Sequence, residues 1–205
     1  MRVDPILWAA VLAAGEGKRM GYGKMLQPIA GRAMLLWTLE AVVAGGVCES
    51  SLIVVVGYDG ENVADLVYSA FPKAAIARNP DYHREMFSSI KVAAERVPSA
   101  TPLLLALGDQ PAVSPKTVGR LVSEAICGKV VQPVYEGKAH HPLILSPHIV
   151  DAVKSSPVYG TLRELLPPLS ERHLVAVDDP GVALDVDTKE DLKRAESILA
   201  SRVQP

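Results

Sequence analysis

The chain is poor in cysteine: its 205 residues hold only Cys48 and Cys127, with no Cys-x-x-Cys pair. Neither a disulfide framework nor a zinc-ligand spacing follows from that, and a reducing compartment, the cytoplasm, is the expected location. Apolar runs are short as well. The run from Ile6 to Ala14 has Asp4-Pro5 before it and Gly15-Glu16-Gly17 after it, which are not the flanks of an export signal. No stretch reaches the ~20 residues of a membrane span, so the first run is expected to be a buried strand, with no membrane partner. Basic residues are not blocked together: 21 Lys and Arg against 23 Asp and Glu give a formal charge of −2. That balance argues against a nucleic-acid partner and for a small molecule. No Gly/Ser/Pro linker, repeat or low-complexity tract divides the sequence, so residues 1–205 are expected to form one domain.

What the chain does have is alternation. Apolar runs at Leu7–Ala13, Ser51–Val56, Ala74–Ala77 and Leu103–Leu107 are separated by helical patterns at Ala33–Ala44, Gly60–Ala70 and Ser88–Arg96. Ser114-Pro115 reads as a helix start, with Val118, Leu121, Val122, Ala125 and Ile126 on one face. Lys129–Val134, Pro142–Leu145 and His173–Val177 read as strands, and Thr161–Leu166 as a short helix stopped by Pro167-Pro168. A last helix over Lys189–Ala200 would bury Leu192, Ala195, Ile198 and Leu199. This rhythm predicts an α/β fold, a three-layer doubly wound and mostly parallel sheet, with its site at the carboxyl ends of the strands.

The strongest chemical signal is Leu12-Ala13-Ala14-Gly15-Glu16-Gly17-Lys18-Arg19-Met20-Gly21, then Tyr22-Gly23-Lys24 and Leu26-Gln27-Pro28-Ile29. It joins a buried strand to a glycine-rich basic loop, where backbone N–H groups and cations can hold polyphosphate. It is not a P-loop: five residues before Gly23-Lys24 stands Lys18 rather than glycine, and Met25 follows instead of Ser or Thr. It is a damaged Rossmann fingerprint too, because Met20 stands where the third glycine belongs. A second signal is Asp109 in Gly108-Asp109-Gln110-Pro111, behind the strand Leu103–Leu107. A carboxylate emerging there can hold Mg²⁺, although an Asx-type turn before Pro111 would use the same residue.

The first run resembles the signature of the MobA-like nucleotidyltransferases, Leu-Ala-Ala-Gly-x-Gly-x-Arg-Met-Gly followed by a Lys and a Leu-x-Pro-Ile-x-Gly segment, matched here through Gly31. The resembling segments extend from Leu7 to Leu192. The resemblance implies a Rossmann-like nucleotidyltransferase fold, Mg²⁺ as cofactor, and nucleotide contacts from Leu12, Ala13, Ala14, Gly15, Gly17, Arg19 and Lys24. It also implies catalytic roles for Arg19, Lys24 and Asp109, with Asp109 as the metal aspartate. Asp185-Val186-Asp187-Thr188 resembles the late Asp-x-Asp-Thr segment, making Asp187 either a second metal ligand or, with Thr188 and Glu190 or Asp191, part of a helix cap. Met86-Phe87-Ser88-Ser89 resembles the segment around base and ribose, with Glu85 replacing the usual glycine; Ser88 and Ser89 would contact nucleotide or cap a helix. His140-His141-Pro142 resembles a Gly-His-Pro segment, and Tyr159-Gly160-Thr161-Leu162-Arg163 a Gly-x-Leu-Arg segment. They suggest that His141 and Arg163 position the second substrate, against the plainer roles of a structural histidine and a solvated arginine.

Within the family, Leu-Ala-Ala-Gly is similar to the cytidylyltransferases of the molybdenum cofactor, whereas guanylyltransferases usually carry Leu-Ala-Gly-Gly. The reaction implied is attack by a phosphate-bearing acceptor, molybdopterin, on the α-phosphorus of CTP with release of pyrophosphate, and a molybdoenzyme as possible recipient. A sugar phosphate or other small phosphate is the alternative acceptor. A non-catalytic nucleotide-binding module that delivers a cofactor, and more distantly a dehydrogenase with an unusual dinucleotide loop, are the alternatives of other classes.

Overall fold

The computed structural model describes residues 7–17, 20, 23–125 and 128–203. Strand β1 (Trp8–Ala13) is followed by a 3-10 turn (Lys24–Leu26) and a small hairpin of β2 (Pro28–Ile29) and β3 (Arg32–Ala33). Then come α1 (Met34–Ala44), β4 (Leu52–Val56), α2 (Gly60–Ala70), β5 (Ala75–Arg78), α3 (Met86–Ala94) and β6 (Leu103–Leu107). The second half holds α4 (Pro115–Glu124), β7 (Val131–Tyr135), β8 (Lys138–Ala139), β9 (Leu143–Leu145), α5 (Pro147–Ser155), α6 (Leu162–Leu165), β10 (His173–Ala176) and α7 (Lys189–Val203).

The main sheet runs β10-β7-β9-β6-β1-β4-β5, with β8 paired to β7. Pairs β1/β4, β1/β6, β4/β5 and β7/β10 are parallel. Strand β9 runs antiparallel to both β6 and β7. The central strands read as unbroken apolar runs because both faces are covered. Ala9, Val11 and Ala13 of β1 enter one core with Leu104 and Ala106 of β6. Ala10, Leu12 and Ala14 enter the other with Leu103, Leu105 and Leu107. Helices α1, α2 and α4 pack on the first face through Leu35, Leu39, Val63, Val67, Val118 and Leu121. Helices α3 and α5 pack on the second through Phe87, Ile90, Ile149, Val150 and Val153. This is the three-layer, mostly parallel architecture that the alternation predicts, and among the described residues no helix is long and apolar enough to cross a membrane.

The observed elements differ from the expected ones at several ends, and some have no expected counterpart. Helix α3 begins at Met86, two residues before Ser88, with Glu85 as an N-cap that makes no side-chain capping bond. Helix α7 continues to Val203 instead of stopping at Ala200. Helix α5, strand β8 and the small β2/β3 hairpin have no counterpart in the sequence reading. Ser114 caps α4 as expected, accepting from the Lys116 N–H, with proline in the first turn. Thr161 and Glu164 form a reciprocal capping box on α6. Ile126, expected on the α4 stripe, lies outside the described residues.

The end of α7 is bolted to the segment after β6. Asp179 is 3% exposed. It accepts hydrogen bonds from the Ser114 N–H, Thr117 Oγ1, the Gly181 N–H and Arg202. Beside it, Gly181 lies so close to the main chain of Ala112 and Val113 that a Cβ would overlap the Ala112 carbonyl. Main chain yields less readily than a side-chain tip, so Gly181→Ala is expected to cost about 1–3 kcal/mol of stability. Urea denaturation of the two proteins checks it; an unchanged midpoint would show that the contact relaxes freely.

Candidate functional site

The site is organised around Lys24. Its side chain is only 5% exposed, and its Nζ lies 2.8 Å from Asp109 Oδ2 and 2.7 Å from Asp187 Oδ1. A buried ammonium must be paired, and here two carboxylates answer one charge. Burial alone would lower its pKa, but Asp109 and Asp187 outweigh that and raise it, so Lys24 is charged at neutral pH. Three distant segments meet to make this contact. Gly17, at φ 65°, lets the glycine loop pass over the lysine stem, where a Cβ would stand 2.5 Å from Lys24 Cβ. Gly108 brings the end of β6 against β1: its N–H donates to the Leu12 carbonyl at 2.9 Å, and a Cβ there would press on Leu12 O and Met25 Sδ. The Val186 N–H donates to the Asp109 carbonyl at 2.9 Å, which registers the late segment beside the first aspartate.

Asp187 has two candidate roles in the sequence, and the helix cap is made by its neighbours. Thr188 and Asp191 cap α7 reciprocally: the Asp191 N–H donates to Thr188 Oγ1, and the Thr188 N–H donates to Asp191 Oδ2. Asp187 presents its carboxylate to Lys24. A third carboxylate, Asp185, lines the same cleft and accepts from Gln110 Nε2 at 2.7 Å. Desolvation, with Asp109 and Asp187 nearby, raises its pKa.

The cleft, of about 350 Å³, is lined by Leu12, Ala14, Gly15, Gly17, Lys24, Ser89, Asp109 and Asp187, so most of the expected nucleotide residues share one space. Ala13 is different: its methyl is buried in the core on the opposite face, leaving only its backbone for a ligand. Ser88 differs too. Its hydroxyl receives a bond from Asn79 Nδ2 at 2.9 Å and donates toward the Asp81 and Glu85 carbonyls, so it braces the turn before α3. Asn79 also holds Ser89 Oγ at 2.9 Å, which fixes that hydroxyl at the cleft. Arg19 lies outside the described residues. Residues the sequence reading did not select also line this space: Tyr82, Arg84, Met86 and Asp185. Tyr82 packs where Gly57 leaves no room for a Cβ, edge-on to Tyr58 with ring centroids 6.4 Å apart. For Tyr82 and Arg84 the available signal was position, since they lie just ahead of the Met86-Phe87-Ser88-Ser89 segment.

A second pocket of about 260 Å³ opens beside the first and shares Met86 with it; His141 and Arg163 both line it, with Phe87, Leu143 and Leu162 as apolar walls. Strand β9 explains the placement. It pairs with β6 in the order Leu103 with Leu145 and Leu105 with Leu143, so the residues entering β9, His141 among them, arrive at the edge where β6 delivers Asp109. The His141 Nε2 is shut off from solvent without a hydrogen-bond partner. Burial pushes its pKa down to about 4, against a smaller opposing pull from Asp109, so the ring is neutral at pH 7.

Asp109 and Asp187 supply hard oxygen donors in the number a protein gives Mg²⁺ when phosphate oxygens and water complete the shell. No cluster of three or more possible ligands stands among the described residues. Two carboxylates side by side suit a hard divalent cation whose other positions are filled by oxygens from elsewhere.

Comparison with known proteins adds a family. The MobA-like NTP transferase domain matches residues 9–178. The nicotine blue oxidoreductase of Paenarthrobacter nicotinovorans is 28% identical over 202 residues, covering 93% of this chain and 96% of that protein. The molybdenum cofactor cytidylyltransferase of Escherichia coli K12 is 27% identical over 182 residues, covering 88% and 91%. The crystal structure of Rv0371c from Mycobacterium tuberculosis H37Rv superposes with a TM-score of 0.77 at 26% identity, covering 95% of this chain and 99% of that one.

The buried imidazole generates a pH prediction. A histidine ordinarily near 6.5 in the unfolded chain and near 4 when folded binds its proton more readily unfolded, so its neutral form favours folding fully above pH 6.5. That contribution is lost as pH falls from 6.5 toward 4. Wild type is expected to lose about 2 kcal/mol between pH 7 and pH 5 through this group, a loss absent from His141→Phe. Denaturant titrations of both proteins at the two pH values measure it; equal losses would refute the assignment to His141.

Proposed function

The chain belongs to the MobA-like NTP transferase family, and from that premise we propose that it transfers CMP from CTP to the phosphate of molybdopterin, with Mg²⁺ and release of pyrophosphate. The observation that carries the reading is Lys24 held between Asp109 and Asp187 in the cleft that the glycine loop borders. An oxygen of the acceptor phosphate attacks the α-phosphorus of CTP, and the bond from that phosphorus to the bridging oxygen of pyrophosphate breaks. The nucleophile is already ionised, so the protein positions two anions and stabilises charge on the phosphoryl and leaving oxygens. Backbone N–H groups of Gly15 to Gly17 and the cations Lys24 and Arg19 serve the triphosphate. Asp109 and Asp187 would hold the cation, whose chemistry is to polarise phosphoryl oxygens and offset their charge. The second pocket receives the acceptor, oriented by His141 and Arg163. Its apolar walls favour a molecule with a flat, weakly hydrated portion over a bare sugar phosphate, and a molybdoenzyme would take the product.

One finding favours a second reading. The nicotine blue oxidoreductase relative covers nearly the whole chain, so an oxidoreductase acting on a heteroaromatic compound would suit the same second pocket. Pyrophosphate release from CTP and molybdopterin, run beside a spectrophotometric assay of NADH and NADPH oxidation, separates the two.

Under the transferase reading, Asp109→Ala is expected to slow pyrophosphate release on the order of a thousandfold, the scale of several kcal/mol of transition-state stabilisation. Turnover near wild type would remove Asp109 from the chemistry. Ala14 lines the cleft, and a methyl at that position is expected to narrow it against a purine, so kcat/KM is expected to favour CTP over GTP by about 10–200-fold. Ala14→Gly is expected to shrink that ratio while transfer continues. A wild-type preference for GTP would defeat the cytidylyl assignment and leave nucleotidyl transfer standing.

A further inference from the structure

The reaction proposed above brings a phosphate dianion up to a triphosphate, and Lys24, with Arg19, is already assigned to the triphosphate. Another cation is needed where the two ligands meet. Among the described residues lining the nucleotide cleft, Lys24 and Arg84 are the basic ones. Arg84 is followed by Glu85, Met86 and Phe87, which line the second pocket, and Met86 lines both spaces. Arg84 therefore stands at the seam between them.

Its guanidinium is held in advance of any ligand. The central carbon lies 5.0 Å from the ring centroid of Tyr159, and Nε is 3.1 Å from Asp81 Oδ1. Tyr159 is 79% exposed. It leads directly into the other wall of the second pocket: Gly160 packs on the Phe87 ring, where a Cβ would stand 3.3 Å from Cε1, and Thr161, Leu162 and Arg163 are lining residues. The Arg84–Tyr159 contact thus joins the two chain segments that flank the pocket mouth. An arginine presents five N–H donors in a rigid fork; Asp81 engages the Nε side, and Tyr159 meets the guanidinium with its ring and takes a hydrogen bond from it, which leaves further donors for a ligand. The donor set and planar support are those used to grip a phosphate through two parallel hydrogen bonds.

We propose that Arg84, presented by Tyr159 and Asp81, binds the phosphate of the acceptor at the seam between the two pockets. The proposal rests on the transferase reading for its role, but the site itself is defined by the phosphate. Arg84 is a catalytic residue in this scheme because it touches the attacking phosphate, and Tyr159 is a positioning residue that acts through it. Arg163, which also lines the second pocket, contacts the remainder of the acceptor.

The test is direct binding. Full-length protein saturated with Mg²⁺ and the non-cleavable α,β-methylene analogue of CTP is titrated with inorganic phosphate by calorimetry, for wild type, Arg84→Gln, Arg84→Lys and Tyr159→Ala. Loss of two charge-assisted hydrogen bonds should weaken phosphate binding by about tenfold or more in Arg84→Gln. Arg84→Lys is expected to recover part of it, and Tyr159→Ala to lose less than Arg84→Gln, while in each variant affinity for the CTP analogue falls by less than affinity for phosphate. A clasp that only holds two loops together would instead make Arg84→Gln and Tyr159→Ala equal and leave Arg84→Lys no better than Gln, which overturns the proposal. So does phosphate binding that is absent in wild type or unchanged in Arg84→Gln, or a loss confined to the CTP analogue. Pyrophosphate release by wild type is measured alongside: its absence with Arg84-dependent phosphate binding intact refutes the transferase reading and keeps the phosphate site, whereas its presence with Arg84 irrelevant does the reverse.

Discussion

One buried ammonium fixes the relation of three parts of the chain. Lys24 follows the glycine loop, Asp109 ends the central strand β6, and Asp187 precedes the last helix, and the lysine bonds both aspartates at 2.7–2.8 Å. Removing one partner of a fully buried ion pair costs about 3–5 kcal/mol. Here the cost is smaller, because Asp109 is 25% and Asp187 44% exposed and water screens both. What the contact supplies is position. Without the glycines the loop could not cross the lysine stem, nor β6 reach β1, and without the backbone bond from Val186 to Asp109 the second carboxylate would have no register.

The parts legible in the sequence are those where one physical demand dominates. Strands β1, β4 and β6 are apolar throughout because both faces are covered, so their limits fall within one residue of the apolar runs. Helix α2 matches its hydrophobic stripe end to end. Helix α5 was not legible although Ser146-Pro147 repeats the Ser114-Pro115 start, because the apolar run Leu143–Leu145 and the nearby prolines mask its stripe of Ile149, Val150 and Val153. Strand β8 has two residues, too few for any period to show.

The candidate site divides along the same line. Lys24, Asp109 and Asp187 stand out in the sequence through a glycine loop, a strand end and an Asp-x-Asp-Thr segment, and the structure brings them within hydrogen-bond distance. Tyr82, Gln110 and Asp185 do not, because their place is set by partners far away in the chain: Gly57 for Tyr82, and for Gln110 and Asp185 each other. Ser88 is a different case. Its position matches a motif for ligand contact, but Asn79 and two carbonyls occupy its hydroxyl, and the neighbouring Ser89 is the one left at the cleft.

The reversed strand β9 has a consequence for how such a chain can change. The glycine loop and Asp109 sit on strands whose parallel pairing requires crossovers over both faces of the sheet, so altering that half disturbs contacts between residues far apart in sequence. His141 is carried by a short local excursion from β7 through β8 into β9, spanning residues 131 to 145 and closed by antiparallel pairs. Loop closure over so few residues is entropically mild, and the excursion can lengthen, shorten or exchange side chains without rewiring the core. One half of the molecule is bound by topology to keep what it holds, while the other is free to be retailored.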